Sequence, residues 1–169
     1  MIDNEVNVLI LLVQTIVAFV AFSSIVASVK MTIGKGVTPH QRLLVHFFTE
    51  SGMLAASICM LPLVLMGFSE DLTLVTRITC AYTLLTVSFY LFWYLKRRFE
   101  IKAPTPLGSA IVMFGWFVWL PVLAITVTGQ IWDPALAIIV ALGYWSITGS
   151  TIIFVTFLAT FVDDVVLQD

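Results

Sequence analysis

The sequence has too few charged residues for a water-soluble protein of its length. Lys, Arg, Asp and Glu together make up 11% of the 169 residues, against about 25% in ordinary soluble domains. Apolar residues make up 60% of the chain, so lipid is the solvent that suits it. The net charge is −2 and the chain has no basic surface interleaved with aromatic residues. The composition therefore also argues against nucleic acid as a partner.

The side chains that soluble enzymes use for catalysis and metal binding are scarce as well. The chain has two cysteines and two histidines. They form no C-x-x-C and no H-E-x-x-H motif, and the sequence contains neither a glycine-rich phosphate loop nor G-x-S-x-G. His40 and His46 lie in one segment, so they do not offer the histidines on separate helices that a membrane haem requires. We predict no enzymatic activity, no bound metal and no cofactor.

Five apolar stretches occupy most of the chain, each long enough to cross the roughly 30 Å hydrocarbon core of a bilayer as a helix. They cover residues 6–29, 43–68, 74–95, 107–129 and 134–162. Helix is required because a spanning segment must satisfy its own backbone hydrogen bonds, and the stretches lack the alternation of barrel strands. We predict an all-α polytopic membrane protein, a bundle of five transmembrane helices, in which residues 1–169 form a single domain.

Prolines mark the helix starts and two internal positions. A capping residue followed by proline precedes three of the spans, at Thr38-Pro39, Thr105-Pro106 and Asp133-Pro134. This arrangement is typical of a helix N-terminus and predicts that the second, fourth and fifth helices begin there. Pro62 and Pro121 fall inside spans, where the missing backbone donor predicts a bend.

Positive charges are concentrated in every second gap between the spans. Seven of the eight Lys and Arg residues lie in or beside two of these gaps, namely Lys30, Lys35, Arg42, Lys96, Arg97, Arg98 and Lys102. The positive-inside rule places these two loops in the cytoplasm, with the N-terminus outside and the C-terminus cytoplasmic. We expect a bacterial inner membrane. Residues 96–98 are typical of orientation signals, and binding of anionic lipid is the alternative.

One pair of ionisable residues lies inside a predicted span. His46 and Glu50 are four residues apart, so they lie about 6 Å apart along the helix axis and on the same face. Met53, Ser57 and Met60 continue that face at helical spacing. Ionisable residues inside membrane helices are costly and usually mark ion or proton paths. The alternative is that Glu50 fixes helix packing through a hydrogen bond.

Two further patterns have a functional and a structural interpretation. The third span carries hydroxyls along one face, at Thr76, Thr79, Thr83, Thr86 and Tyr90. Such a face can line water, or its threonines can bond their own helix carbonyls and serve close packing. Trp116, Trp119 and Trp145 fall near the middle of the last two spans. They predict either a pocket for a flat apolar ligand or bulky packing.

Three functions remain open on these grounds. The first is an oligomeric proton or cation channel or transporter, with His46, Glu50, Ser57, Thr79, Thr83 and Thr86 along its pathway. The second is a noncatalytic subunit of a redox or energy-converting membrane complex. The third is a sensor that binds an apolar ligand at the tryptophans. The lipid bilayer and either further copies of the chain or other subunits are the expected partners.

Overall fold

The computed structural model describes residues 2–33, 39–101, 107–129, 131 and 134–166, with side chains for 4–29, 42–100, 107–129, 131 and 134–159. It contains α1 (Ile2–Ile33), α2 (Pro39–Met66), α3 (Leu72–Ile101), α4 (Leu107–Thr128) and α5 (Leu136–Val166). All five helices are long and apolar enough to cross a membrane, and the described ranges contain no strand. The prediction of five such helices is confirmed.

Local signals set most of the helix ends. α2 begins at Pro39 and α4 at Leu107, within one residue of the predicted starts, whereas α5 begins two residues after Pro134. Asp71 caps α3, because its Oδ1 accepts hydrogen bonds from the backbone amides of Thr73 at 2.9 Å and Leu74 at 3.1 Å. Gly129 ends α4 in the left-handed conformation, with φ of 64°.

Successive helices run antiparallel, and α5 packs against all four others. α1 packs on α2, α2 on α3 and α3 on α4, while α1 and α4 do not touch within the described ranges. Close approaches at glycine fix this order: a Cβ on Gly52 of α2 would meet Val20 of α1, and one on Gly108 at the start of α4 would meet Thr156 late in α5. We call the end where α2 and α4 begin the basic end, because Arg97 and Arg98 lie there.

The interior consists of two groups of buried apolar side chains. The larger group joins α1, α2, α3, α4 and α5 around Cys59, Cys80 and Leu142. The second group lies toward the basic end and is rich in aromatic rings, among them Phe48 and Phe157. Because both groups extend between helices that are distant in sequence, tertiary packing rather than local preference sets the rotation of each helix about its axis.

Candidate functional site

The acidic residue of α2 is held between a histidine and an arginine. Nη1 of Arg97 donates hydrogen bonds to Oε1 of Glu50 at 3.0 Å and to Oε2 at 3.2 Å. Nδ1 of His46 lies 3.9 Å from Oε1 of the same carboxylate. We call His46, Glu50 and Arg97 the charged cluster. A charge-assisted contact of this kind is stronger than a neutral hydrogen bond, so it ties α2 to α3.

The direction of the two helices explains why these side chains meet. In a helix each Cα–Cβ bond leans toward the N-terminus. α2 begins at the basic end, so Glu50 leans toward that end. α3 ends there, so Arg97 leans back toward the middle of the bundle. Glu50 and Arg97, which are 47 residues apart in sequence, are thus brought into contact by the antiparallel pairing of α2 and α3.

The charged cluster lies on the outer face of the bundle rather than in its interior. The side chains of His46, Glu50 and Arg97 are 59%, 37% and 36% exposed. Met53 and Met60, which continue the same face of α2, are also exposed. A groove of about 320 Å³ opens beside the cluster. Within one chain, therefore, the cluster borders a surface groove and not a channel through the core.

Aromatic side chains support the charged cluster from α3. The Tyr90 hydroxyl donates to the backbone carbonyl of Phe47 at 3.1 Å, and the rings of Phe47 and Tyr94 stack at 4.1 Å between centroids. Trp93 lies next to the cluster, with Cζ of Arg97 5.4 Å from the centre of its ring. These contacts fix the relative height of α2 and α3, and with it the position of Arg97 opposite Glu50.

The hydroxyl-bearing residues of the proposed pathway are engaged in helix packing. Thr79 and Thr83 are fully buried, and their hydroxyls donate to the carbonyls of Val75 and Thr79 on their own helix. Thr86 likewise donates to the carbonyl of Tyr82. Ser57 donates to the carbonyl of Leu54 at 2.7 Å and lies 3.2 Å from the Tyr82 hydroxyl. For Thr79, Thr83 and Thr86 these are the bonds to carbonyls of the same helix that the packing alternative expects. The buried Thr76 hydroxyl has no hydrogen-bond partner among the described residues.

The three tryptophans pack against neighbouring helices. Trp116 and Trp119 are partly buried against the larger apolar group. The Trp145 ring lies on the backbone of α4 at Gly115, where a Cβ would stand 1.8 Å from Cζ2. The Nε1 of Trp145 is buried and has no hydrogen-bond partner among the described residues. Three surface grooves of about 320, 380 and 450 Å³ have none of these tryptophans among the side chains that line them.

Arg97 is the site residue that the sequence predicts only as an orientation signal or as a contact for anionic lipid. A signal for its second role was present, since an antiparallel α2–α3 pair places the start of one helix beside the end of the other. Arg98, the next residue, is buried and donates to the Tyr94 hydroxyl at 3.3 Å. The side chains of Lys30, Lys35, His40 and Lys102 lie outside the described residues.

The charged cluster does not have the composition of a metal site. Among the described side chains, no group of three or more His, Cys, Asp or Glu residues could hold a metal ion. What the cluster can do is form ion pairs and bind charged groups at the surface of the bundle. Comparison of the chain with known protein families, curated protein sequences and solved structures gives no match.

Proposed function

We propose that this chain is an integral membrane protein that conducts or transports protons or another cation, with the charged cluster as its titratable element. The supporting observation is that Glu50 lies between His46 and Arg97 on a helix long enough to span a bilayer. Histidine is the side chain that exchanges a proton near neutral pH. Protonation of His46 adds one positive charge to a cluster in which Glu50 and Arg97 otherwise cancel.

The proposed pathway runs between chains rather than through one bundle. The charged cluster is partly exposed on the outer face, and the hydroxyls of Thr79 and Thr83 are buried and bonded within α3. Charged groups at membrane depth are normally placed against protein or a water-filled cavity. A second copy of the chain packed on the exposed face of α2, at His46, Met53 and Met60, supplies that environment. In this arrangement the basic end faces the cytoplasm.

Ion flux in reconstituted vesicles tests the proposal. We expect the purified chain to carry a pH-dependent proton or cation flux, and Glu50→Gln to reduce it to the level of empty vesicles. Glu70→Gln is the matched control, because Glu70 is exposed in the connection before α3 and is expected to leave the flux unchanged. Wild-type flux that is indifferent to Glu50→Gln, or no flux from the wild type, would rule out this role.

A noncatalytic subunit of a larger membrane complex is the second candidate. It is supported by the same outward position of the charged cluster, because a partner subunit can cover these side chains as well as a second copy can. In this case we expect the chain extracted in mild detergent to copurify with the same partner subunits, which are held by a contact with Arg97. Arg97→Gln should release them, while the isolated chain carries no flux.

A further inference from the structure

Two surface grooves between α2 and α3 join into one. The first, of about 320 Å³, is lined by Glu50, Phe89, Tyr90, Trp93 and Arg97. The second, of about 380 Å³, is lined by Leu54, Leu85, Thr86, Phe89 and Tyr90. Phe89 and Tyr90 belong to both, so the two are continuous, and we call them together the α2/α3 groove. It runs from the basic end toward the middle of the bundle.

The part of the α2/α3 groove nearer the middle offers only hydrocarbon to an occupant. Leu54, Leu85 and Phe89 are apolar. The two hydroxyls present are already bonded, Thr86 to the carbonyl of Tyr82 at 2.8 Å and Tyr90 to that of Phe47 at 3.1 Å. An occupant of this part therefore gains from burial of apolar surface and not from hydrogen bonds.

The opposite end of the groove is cationic. Nζ of Lys96 and Cζ of Arg97 each lie 5.4 Å from the centre of the Trp93 ring. Glu50 is bonded to Nη1 of Arg97, and no described residue is bonded to its Nη2 or Nε. Arg98 is buried against Tyr94 instead. Arg97 thus lines the groove, and Lys96 lies against the Trp93 ring that lines it as well. Glu50 is the carboxylate within this lining.

We propose that the α2/α3 groove binds one anionic phospholipid of the bilayer, with its phosphate at Lys96 and Arg97 and an acyl chain along Phe89 and Leu85. The cationic end of the groove favours an anionic headgroup, and the apolar lining of the other end favours an acyl chain. From residue 97 to residue 85 the groove extends about 18 Å along α3, which matches the roughly 15 Å of hydrocarbon in one leaflet.

The lipid phosphate would compete with Glu50 for the guanidinium of Arg97. Bound lipid therefore loosens the Arg97–Glu50 ion pair and leaves the carboxylate with His46 alone. The anionic lipid content of the membrane therefore controls how tightly Arg97 holds Glu50. That this affects activity rests on the proposed function. The binding itself does not depend on that function, and it is measured separately from flux.

Native mass spectrometry of the full chain in mild detergent tests the proposal, with phosphatidylglycerol and phosphatidylcholine added in turn. We expect one retained phosphatidylglycerol per chain and weaker retention of phosphatidylcholine. Lys96→Gln and Arg97→Gln should each weaken phosphatidylglycerol binding by about fivefold or more, since each cation near a membrane surface contributes about 1 kcal/mol. Arg77→Gln, which removes a cation near the other end of α3, is the matched control and should bind normally.

Two further variants distinguish binding of the lipid headgroup from binding of its acyl chain. Leu85 is 72% exposed, so Leu85→Trp fills the groove without disturbing the core and should reduce the retention of both lipids. Glu50→Gln removes the competitor for Arg97 and should strengthen phosphatidylglycerol binding, although it abolishes the proposed flux. Equal binding of the two lipids, equal losses in Arg97→Gln and Arg77→Gln, or unchanged binding in Leu85→Trp would each overturn the proposal. Normal lipid results without flux would refute only the proposed function.

Discussion

The contact between Gly115 and Trp145 leads to a quantitative prediction for Gly115→Ala. A Cβ at Gly115 would stand 1.8 Å from Cζ2 of the Trp145 ring, which must withdraw by about 1.6 Å to reach the 3.4 Å of ordinary van der Waals contact. Overpacking costs about 1–3 kcal/mol, and a rigid ring at this distance places the cost near the upper value. Alanine recovers about 1 kcal/mol of helix propensity, so we expect a net destabilisation of about 2 kcal/mol.

Reversible unfolding in detergent, followed by circular dichroism, measures this change. Gly149→Ala is the milder comparison, because its Cβ would stand 3.0 Å from Cγ1 of Val112. Trp145→Phe removes Cζ2 and Cη2, so the added methyl group should cost much less in that background. The reasoning would be refuted if Gly115→Ala were as stable as the wild type, or if it lost the same free energy with Phe at position 145.

Two further predictions concern α3 and the end of α4. Thr83→Val should lower the free energy of unfolding by no more than about 1.5 kcal/mol and leave any flux unchanged, because the Thr83 hydroxyl is bonded within its own helix at 2.7 Å; a loss of flux would instead indicate that this hydroxyl lines the pathway. Gly129→Ala should destabilise the protein by roughly 1–2 kcal/mol, since φ at this position is 64°. A melting temperature equal to that of the wild type would contradict that cost.

The helices were predictable because their signals are local. Apolar length defines a spanning helix whatever it packs against, and the proline at position 39 sets the start of α2. The start of α5 was predicted two residues early, since the first turn there forms only from Ala135, whose carbonyl accepts from the amide of Ile138 at 3.0 Å. Asp71 caps α3 but is followed by Leu72 rather than proline, so the pattern of a capping residue before proline does not predict it.

Which face of each helix is buried could not be predicted in the same way. In a soluble protein the apolar side of a helix identifies its buried face, but in a membrane protein lipid is as apolar as the interior, and this signal is lost. The exposed Phe89 and the buried Phe48 are therefore alike in sequence. For the same reason the sequence does not distinguish whether the threonines of α3 face water or packed side chains; only the structure locates the buried hydroxyls of Thr79 and Thr83 on carbonyls of their own helix.

By itself, the sequence determined the number and approximate extent of the helices and the contact of His46 with Glu50, because both follow from the rise and period of a single helix. Only the tertiary structure decided that Arg97 completes the charged cluster and that the cluster lies on the outer face. The physical reason is that the rotation and relative height of α2 and α3 are set by interdigitating side chains such as Phe47 and Tyr94, which are distant in sequence and whose pairing no local pattern encodes.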